Sequence, residues 1–296
     1  MDIYFDSMAK IVSEAEKRGV TISQITISQT AKDTERTEEE VFEAMRLNFE
    51  VMKQSVSNGL KPGKSISGLT GDMAYTYKTY TETKKSLSCE LPAIALANAL
   101  AVSEENASMG RIVSCPTAGS CGILPGCMTA LQKRYNLSDD DIVKGLFNAS
   151  ALGMVIAKNA SISGAEGGCQ AECGSAAAMA ASAIVEIMGG TPQMCADAAA
   201  QALKSIMGLV CDPVAGLVEE PCVIRNATCT TLAITCADLT LSGIKSIIPL
   251  DEVIIAMDRV GNMLPYQLRE TALGGIADSP TARRIEKELF EKAESN

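Results

Sequence analysis

Residues Gly174 to Met188 read as a helix that is apolar all round. Such a helix is stable only when other elements cover every side of it. That requirement points to helices packed around a buried central helix, and the surrounding text agrees. From Leu91 onward the chain is Ala-rich helix punctuated by Gly/Pro loops. Aromatics make up only 4% and Trp is absent, so Ala, Ile, Leu, Val and Met must fill the core. Close-packed helices suit that palette better than an aromatic-rich β-sandwich. With 47% hydrophobic and 21% charged residues, a sizeable core is expected and wholesale disorder is excluded. The predicted fold class is all-α, a single domain over residues 1–296 with a helical lead over 1–60.

Local signals mark several helices. Ile3 to Lys17 places Phe5, Met8, Ile11, Val12 and Ala15 at helical spacing. Thr37-Glu38-Glu39-Glu40 is a capping box, and Ser138 followed by three Asp is a hydroxyl cap with an acidic first turn. Thr191-Pro192 supplies an N-cap and a first-turn proline. Asp251 to Met263 and Thr281 to Lys292 are amphipathic. Between the first two helices, Thr21 to Thr30 alternates Ile with polar residues and predicts a short strand.

Charge narrows the partners. The net charge of −10, from 26 basic and 36 acidic residues, disfavours nucleic acid and anionic membrane. The longest uncharged stretch, Ile112 to Gln132, contains Pro116, Pro125, Gly119, Gly122 and Gly126, so it predicts a loop entering a helix and no membrane span. Met1 to Asp6 offers neither a basic nor an apolar leader region, so a cytoplasmic, reducing home is expected.

Two counts bear on chemistry: eleven Cys and no His. Without His, acid–base work falls to Asp, Glu, Lys, Tyr or Cys, a bound metal, or another chain. No C-x-x-C pair exists, which argues against zinc fingers, ferredoxin-like sites and thioredoxin-type motifs. Cys195, Cys229 and Cys236 sit in helical patterns and read as core, and Cys89 and Cys127 read as packing too. Cys115, Cys121, Cys169, Cys211 and Cys222 lie in Gly/Pro frames, where loop amides can stabilise a thiolate. Spacing alone does not choose between a ligand set around Cys115 and Cys121 and one around Cys169, Cys211 and Cys222. The plain alternative is that all eleven are simply buried.

Longer motifs carry a resemblance. They are Pro116-Thr117-Ala118-Gly119-Ser120, Asn159-Ala160-Ser161-Ile162-Ser163-Gly164-Ala165 and Gly168-Cys169-Gln170-Ala171-Glu172. Gly208 to Gly216, Pro221-Cys222-Val223-Ile224-Arg225-Asn226, and Arg269-Glu270-Thr271 with Gly274-Gly275 complete the set. Over about Gly68 to Gly275 the chain resembles the α chain of the two-chain, iron–sulfur-dependent L-serine dehydratases. The resemblance implies a 4Fe–4S cluster on Cys169, Cys211 and Cys222, 42 and then 11 residues apart. It also implies a separate β chain, L-serine as substrate, and a cluster-binding catalytic part over 61–296. Cys115, Cys121, Cys127 and Cys173 fall where family members often carry Ala, Thr or Val, and are assigned to packing. The sequence departs from the family at Ser88-Cys89-Glu90, where a Ser-Gly-Pro-like turn is expected. It has no Cys after Cys236, whereas single-chain members carry one near the C-terminus.

The implied reaction removes the Cα proton of serine and expels its hydroxyl, giving aminoacrylate and then pyruvate and ammonia, a route from serine breakdown toward gluconeogenesis. Three Cys leave one iron open to act as a Lewis acid. Lys85 matches a family lysine and is the candidate base, with a solvated surface lysine as the alternative. Ser161 and Ser163 join it as catalytic candidates. Ser86, Ser88, Thr117, Gly119, Ser120 and Asn159 are candidates for holding the substrate, against plain capping roles. Arg225 and Arg269 fit either function or loop bracing. The rival readings are a pyridoxal-phosphate lyase, an iron–sulfur cysteine desulfidase, and a non-catalytic cluster-binding subunit.

Overall fold

The computed structural model describes residues 5–83 and 85–294. Ile3, at the start of the first predicted helix, lies outside them. Thirteen α-helices occur among the described residues. In chain order they are α1 (Met8–Arg18), α2 (Ile22–Asp33), α3 (Glu38–Gly59), α4 (Met73–Glu82), α5 (Glu90–Ala107), α6 (Ile123–Tyr135) and α7 (Asp139–Asn159). Then follow α8 (Gly164–Gly167), α9 (Ser175–Ile187), α10 (Pro192–Ser205), α11 (Cys222–Leu241), α12 (Leu250–Met263) and α13 (Pro280–Glu294). The described residues hold no β-strand, only two isolated bridges, Lys64 with Gly71 and Cys211 with Arg269.

The central helix is α9. Every residue from Ser175 to Val185 is buried, and α6, α7, α10 and α11 pack around it. Its Ala-rich surface lets those neighbours approach closely, since helix separation is set by the side chains at the contact. A π turn over Gln170–Gly174 leads directly into α9. Around this centre, α5 packs on α3, α4, α6 and α11, while α2 lies on α7. No helix of the described residues is long and apolar enough to cross a membrane.

The predicted caps are present. Thr37 with Glu40 and Ser138 with Asp141 close reciprocal capping boxes, and Thr191 caps α10 ahead of Pro192. The predicted strand at Thr21–Thr30 is not present: the segment forms α2. Its start is fixed by a capping box between Thr21 and Gln24. It is also fixed by Glu186, which accepts the amides of Ile22 at 3.0 Å and Ser23 at 3.3 Å. A carboxylate at a helix N-terminus satisfies amides that have no partner within the helix and opposes the helix dipole. Glu186 also accepts from Asn148 Nδ2 at 2.7 Å, so the otherwise apolar α9 carries one carboxylate that ties three helices together.

Ten of the eleven cysteines are buried, and Cys89 is exposed at the N-cap of α5, which corrects its assignment to packing.

Candidate active site

Three separate segments bring Cys169, Cys211 and Cys222 together. Cys169 precedes the π turn, Cys211 lies in the loop after α10, and Cys222 is the first residue of α11. All three are buried, at 2%, 2% and 5% exposure. Their charges sense one another: Cys169 and Cys222 push the Cys211 thiol up, and Cys169 does the same to Cys222, with burial the larger cause in both.

Each segment is fixed by hydrogen bonds that its own residue types supply. The buried Gln170 side chain donates to Gly167 O at 3.0 Å and Met257 O at 2.9 Å, and accepts from Gly208 N at 2.8 Å. It thereby locks the Cys169 turn to α8, α12 and the loop after α10. Cys211 N donates to Leu268 O at 2.9 Å, and Glu270 N donates to Cys211 O at 2.7 Å. Asn226, one turn into α11, donates to Cys222 O at 2.9 Å and Gly119 O at 2.7 Å and accepts from Gly122 N at 2.9 Å. The Thr117–Ser120 turn is thus anchored to the helix that begins at Cys222.

Charge at the centre is mixed. Arg225 is paired with Asp212 at 2.8 Å and donates to Val210 O at 2.9 Å. Although burial opposes its charge, the neighbouring Cys169 thiol and the Asp212 carboxylate hold Arg225 firmly protonated. Cys169 is held below the ordinary thiol value, first by a hydrogen bond from Cys173 and then by Arg225, with burial working the other way. Cys173 is pushed up, first by its bonds to Cys169 and Cys229.

Two carboxylates face the same centre. Glu172, in the π turn, is buried and accepts a hydrogen bond from Thr117 Oγ1. Burial raises its pKa, and the nearby Glu270 raises it further. Gly119 passes so close that a Cβ there would lie 2.5 Å from Glu172 Oε1, so a larger residue would have to push that carboxylate aside. Glu270 adopts a left-handed backbone, φ 62°, uncommon for a residue with a side chain.

The remaining candidates divide into three places. Thr117, Gly119 and Ser120 stand beside Glu172, with Ser120 fully buried. Asn159 and Ser161 line a cleft of about 500 Å³ whose wall includes Glu166, Asp258, Asn262 and Arg269. Ser161 Oγ donates to Glu166 at 2.6 Å and accepts from Ser163 N at 3.0 Å, and Ser163 stands just before α8 without a side-chain cap bond. The Asn159 amide is occupied by Asp6 O at 3.0 Å and Val155 O at 2.8 Å, and Arg269 by Leu264 O at 2.8 Å. Lys85, Ser86 and Ser88 lie apart, between α4 and α5. Tyr80 donates to Lys85 O at 2.8 Å and Tyr77 to Ser88 Oγ at 3.4 Å. No hydrogen bond recorded for those three reaches the cysteine group.

The donor set fits an iron–sulfur cluster. Neither Cys211 nor Cys222 has a hydrogen-bond partner for its sulfur among the described residues, so both are buried thiols left free to ligate. By contrast, Cys115 donates to Val113 O at 3.5 Å, Cys121 to Val102 O at 4.0 Å and Cys127 to Thr230 O at 3.8 Å, as packing thiols do. A second grouping, Cys169, Glu172 and Cys173, has donor atoms within 4.8 Å of one another, a spacing that suits a single ion. Glu172, Glu270, Asp212 and Asn226 all fall inside or beside the long motifs, yet the sequence gives no sign that they converge.

The family described as "Serine dehydratase alpha chain" matches residues 17–277. The chain is 47% identical over 286 residues to "Probable L-serine dehydratase, alpha chain" of Bacillus subtilis, covering 97% of this chain and 95% of that protein. It is 41% identical over 287 residues to "L-serine dehydratase, alpha chain" of Peptoniphilus asaccharolyticus, covering 96% and 98%. The "L-serine dehydratase" of Streptomyces coelicolor is 36% identical over 271 residues, covering 89% of this chain but 58% of that longer protein.

Proposed function

The chain belongs to the serine dehydratase alpha-chain family, and from that premise we propose that it is a carbon–oxygen lyase converting L-serine to pyruvate and ammonia. A 4Fe–4S cluster on Cys169, Cys211 and Cys222 would be its cofactor. The observation that carries this is the meeting of those three buried thiols, two of them without a hydrogen-bond partner among the described residues. When bound, such a cluster supplies an iron without a protein ligand, a Lewis acid for the hydroxyl and carboxylate of serine.

The chain's own residues do the rest. Arg225 offsets thiolate charge at Cys169 and Cys222, and its pairing with Asp212 keeps it in place. Gln170 and Asn226 fix the two helical segments that present Cys169 and Cys222. Thr117 orients the Glu172 carboxylate toward the thiols. Ser161 lines the cleft with the Ser163 amide bonded to its hydroxyl, while Thr117, Gly119 and Ser120 stand beside Glu172, with Asn159 on the cleft wall. Lys85 is the base in this proposal, with Ser86 and Ser88 beside it on the substrate side. Residues 1–296 act as one catalytic domain with 1–60 as its lead.

A separate β chain completes the enzyme. Two similar proteins named as alpha chains match this chain nearly end to end, whereas the Streptomyces protein carries about two-fifths more of its length elsewhere. The setting is cytoplasmic, and the pyruvate formed feeds gluconeogenesis.

Anaerobic reconstitution followed by iron and sulfide analysis tests the cofactor, with about four of each per chain expected for one cubane cluster. The loaded chain plus its β chain should release pyruvate from L-serine. Faster sulfide release from L-cysteine would make it a desulfidase. A borohydride-trapped lysine adduct would make it a pyridoxal-phosphate enzyme. A full cluster with no turnover of either amino acid would leave a cluster-binding subunit.

A further inference from the structure

A buried acid stands just ahead of Cys222. Glu219 is 5% exposed and has no ion pair among the described residues. Its carboxyl group instead accepts from Ser67 Oγ at 2.7 Å, Thr70 Oγ1 at 2.8 Å and Thr70 N at 3.2 Å. A buried acid is costly unless hydrogen bonds satisfy it, and here they come from a loop 149 to 152 residues earlier in the chain.

That loop is braced by its own bonds. Asp72 N donates to Gly63 O at 2.9 Å, and Gly63 N donates to Asp72 Oδ1 at 2.9 Å. Between them Ser65 N donates to Thr70 O at 2.9 Å and Gly68 N to Ser65 O at 3.1 Å. Donors already fixed in this way fix in turn the acid that docks on them.

Behind Glu219 lies the helix that begins at Cys222. No side chain caps the N-terminus of α11. Its first turn depends on the backbone before it: Glu219 O accepts from Val223 N at 2.8 Å, and Pro221 O accepts from Arg225 N at 3.0 Å. Glu220 O accepts from Val214 N at 2.9 Å, closing the turn that separates Cys211 from Cys222. A helix end without a cap leaves amides unsatisfied and opens more easily than the helix interior. Here the residue that supplies the first acceptor is itself pinned through its side chain.

We infer that Glu219 is a positioning residue: gripped by Ser67 and Thr70, it holds the first turn of α11, and with it the Cys222 thiol, in place. It acts through the backbone and not by touching the sulfur. The inference rests on the cluster proposal for what Cys222 is held to do, whereas the grip itself belongs to the cluster-free chain.

The test is alkylation of the native cluster-free chain with N-ethylmaleimide, the rate at each cysteine being read by peptide mass mapping. Buried thiols react through local opening, so each rate reports how often its own segment opens. Glu219→Ala removes the grip, and the loss of these buried bonds predicts Cys222 labelling faster by about tenfold or more. Cys195, fully buried in α10, should stay within about twofold, since only the start of α11 is released. Glu219→Gln keeps an oxygen for Thr70 and offers an N–H that the Ser67 hydroxyl can accept, so it should return Cys222 to within about threefold of wild type. Ser67→Ala combined with Thr70→Val removes both hydroxyls from the other side and should speed Cys222 in the same selective way. That pair decides the matter if Glu219→Ala does not fold.

Unchanged labelling of Cys222, equal acceleration of Cys222 and Cys195, or a Gln variant as fast as the Ala variant would overturn the positioning role. Iron and sulfide, counted after anaerobic reconstitution, give a separate arm. Selective labelling of Cys222 in the variants, with a wild type that takes up no iron, would remove the cluster proposal and leave the grip standing. A wild type with a full cluster, and variants whose Cys222 stays protected, would do the reverse.

Discussion

The Arg225 guanidinium lies 2.8 Å from the Asp212 carboxylate, and this one pair ties the loop carrying Cys211 to the helix that begins at Cys222. Asp212 is 2% exposed and also accepts the Ile276 amide at 2.7 Å, so it binds three segments. Arg225→Met would leave that carboxylate buried without its cation. Breaking a buried pair from one side costs about 3–5 kcal/mol, and urea denaturation of the cluster-free chain should show a loss of that order. A loss below about 1 kcal/mol, typical of a surface pair, would mean water already screens this one.

The ligand assignment makes a sharper comparison among buried thiols. Cys211→Ser and Cys222→Ser should fail to retain iron and sulfide after anaerobic desalting. Cys236→Ser, equally buried but on the far part of α11 beside Ser205, should retain the full complement. Cys229 is a poorer control because it contacts Cys173, which in turn contacts Cys169. Equal iron content in all three variants would refute the assignment.

Solvent exposure separates one thiol from the rest. Cys89 is exposed while the other ten are buried. A maleimide added to the native cluster-free chain should label about one thiol per molecule, since the buried thiols lack access. Peptide mapping should place the label at Cys89. Rapid labelling of Cys211 or Cys222 would show that their segments open readily.

Burial raises the Glu186 carboxyl above its ordinary value of 4.5, against the hydrogen bonds from Ser23, Asn148 and Ile22 that lower it. A raised carboxyl binds its proton more tightly in the folded chain than in the unfolded one. Its contribution is therefore complete below pH 4.5 and is lost as pH climbs through the raised folded value. Glu186→Gln should flatten the fall in stability across that window, measured by thermal unfolding at a series of pH values. An unchanged slope would assign the pH dependence to other groups, with Glu104 next, since burial raises it too.

Much of the fold was legible because its signals are local. Thr37–Glu40, Ser138–Asp141 and Thr191–Pro192 announce their helices within four residues, and the apolar run after Gly174 announces its own burial. The segment Thr21–Thr30 misled because Ile22, Ile25 and Ile27 alternate with polar residues as in a strand. Its Thr21–Gln24 box was the better guide, and the decisive partner, Glu186, lies 164 residues away from Ile22. The site divides the same way. The resemblance, and not spacing, singled out Cys169, Cys211 and Cys222, which the structure brings near one another, but the approach of Glu172 and Glu270 to Gly164 depends on three segments meeting in space. No spacing along the chain encodes that.

The loop bearing Cys211 is held by the backbone of Leu268 and Glu270 and, through Asp212, by Ile276. All three of these partners follow the cysteines in the chain, so the Cys211 loop gains its full set of backbone partners only once residues through Ile276 have been made. Under the cluster proposal, loading would be a late event, and a chain cut short before Ile276 would carry Cys169, Cys211 and Cys222 yet lack part of the frame that holds the Cys211 loop.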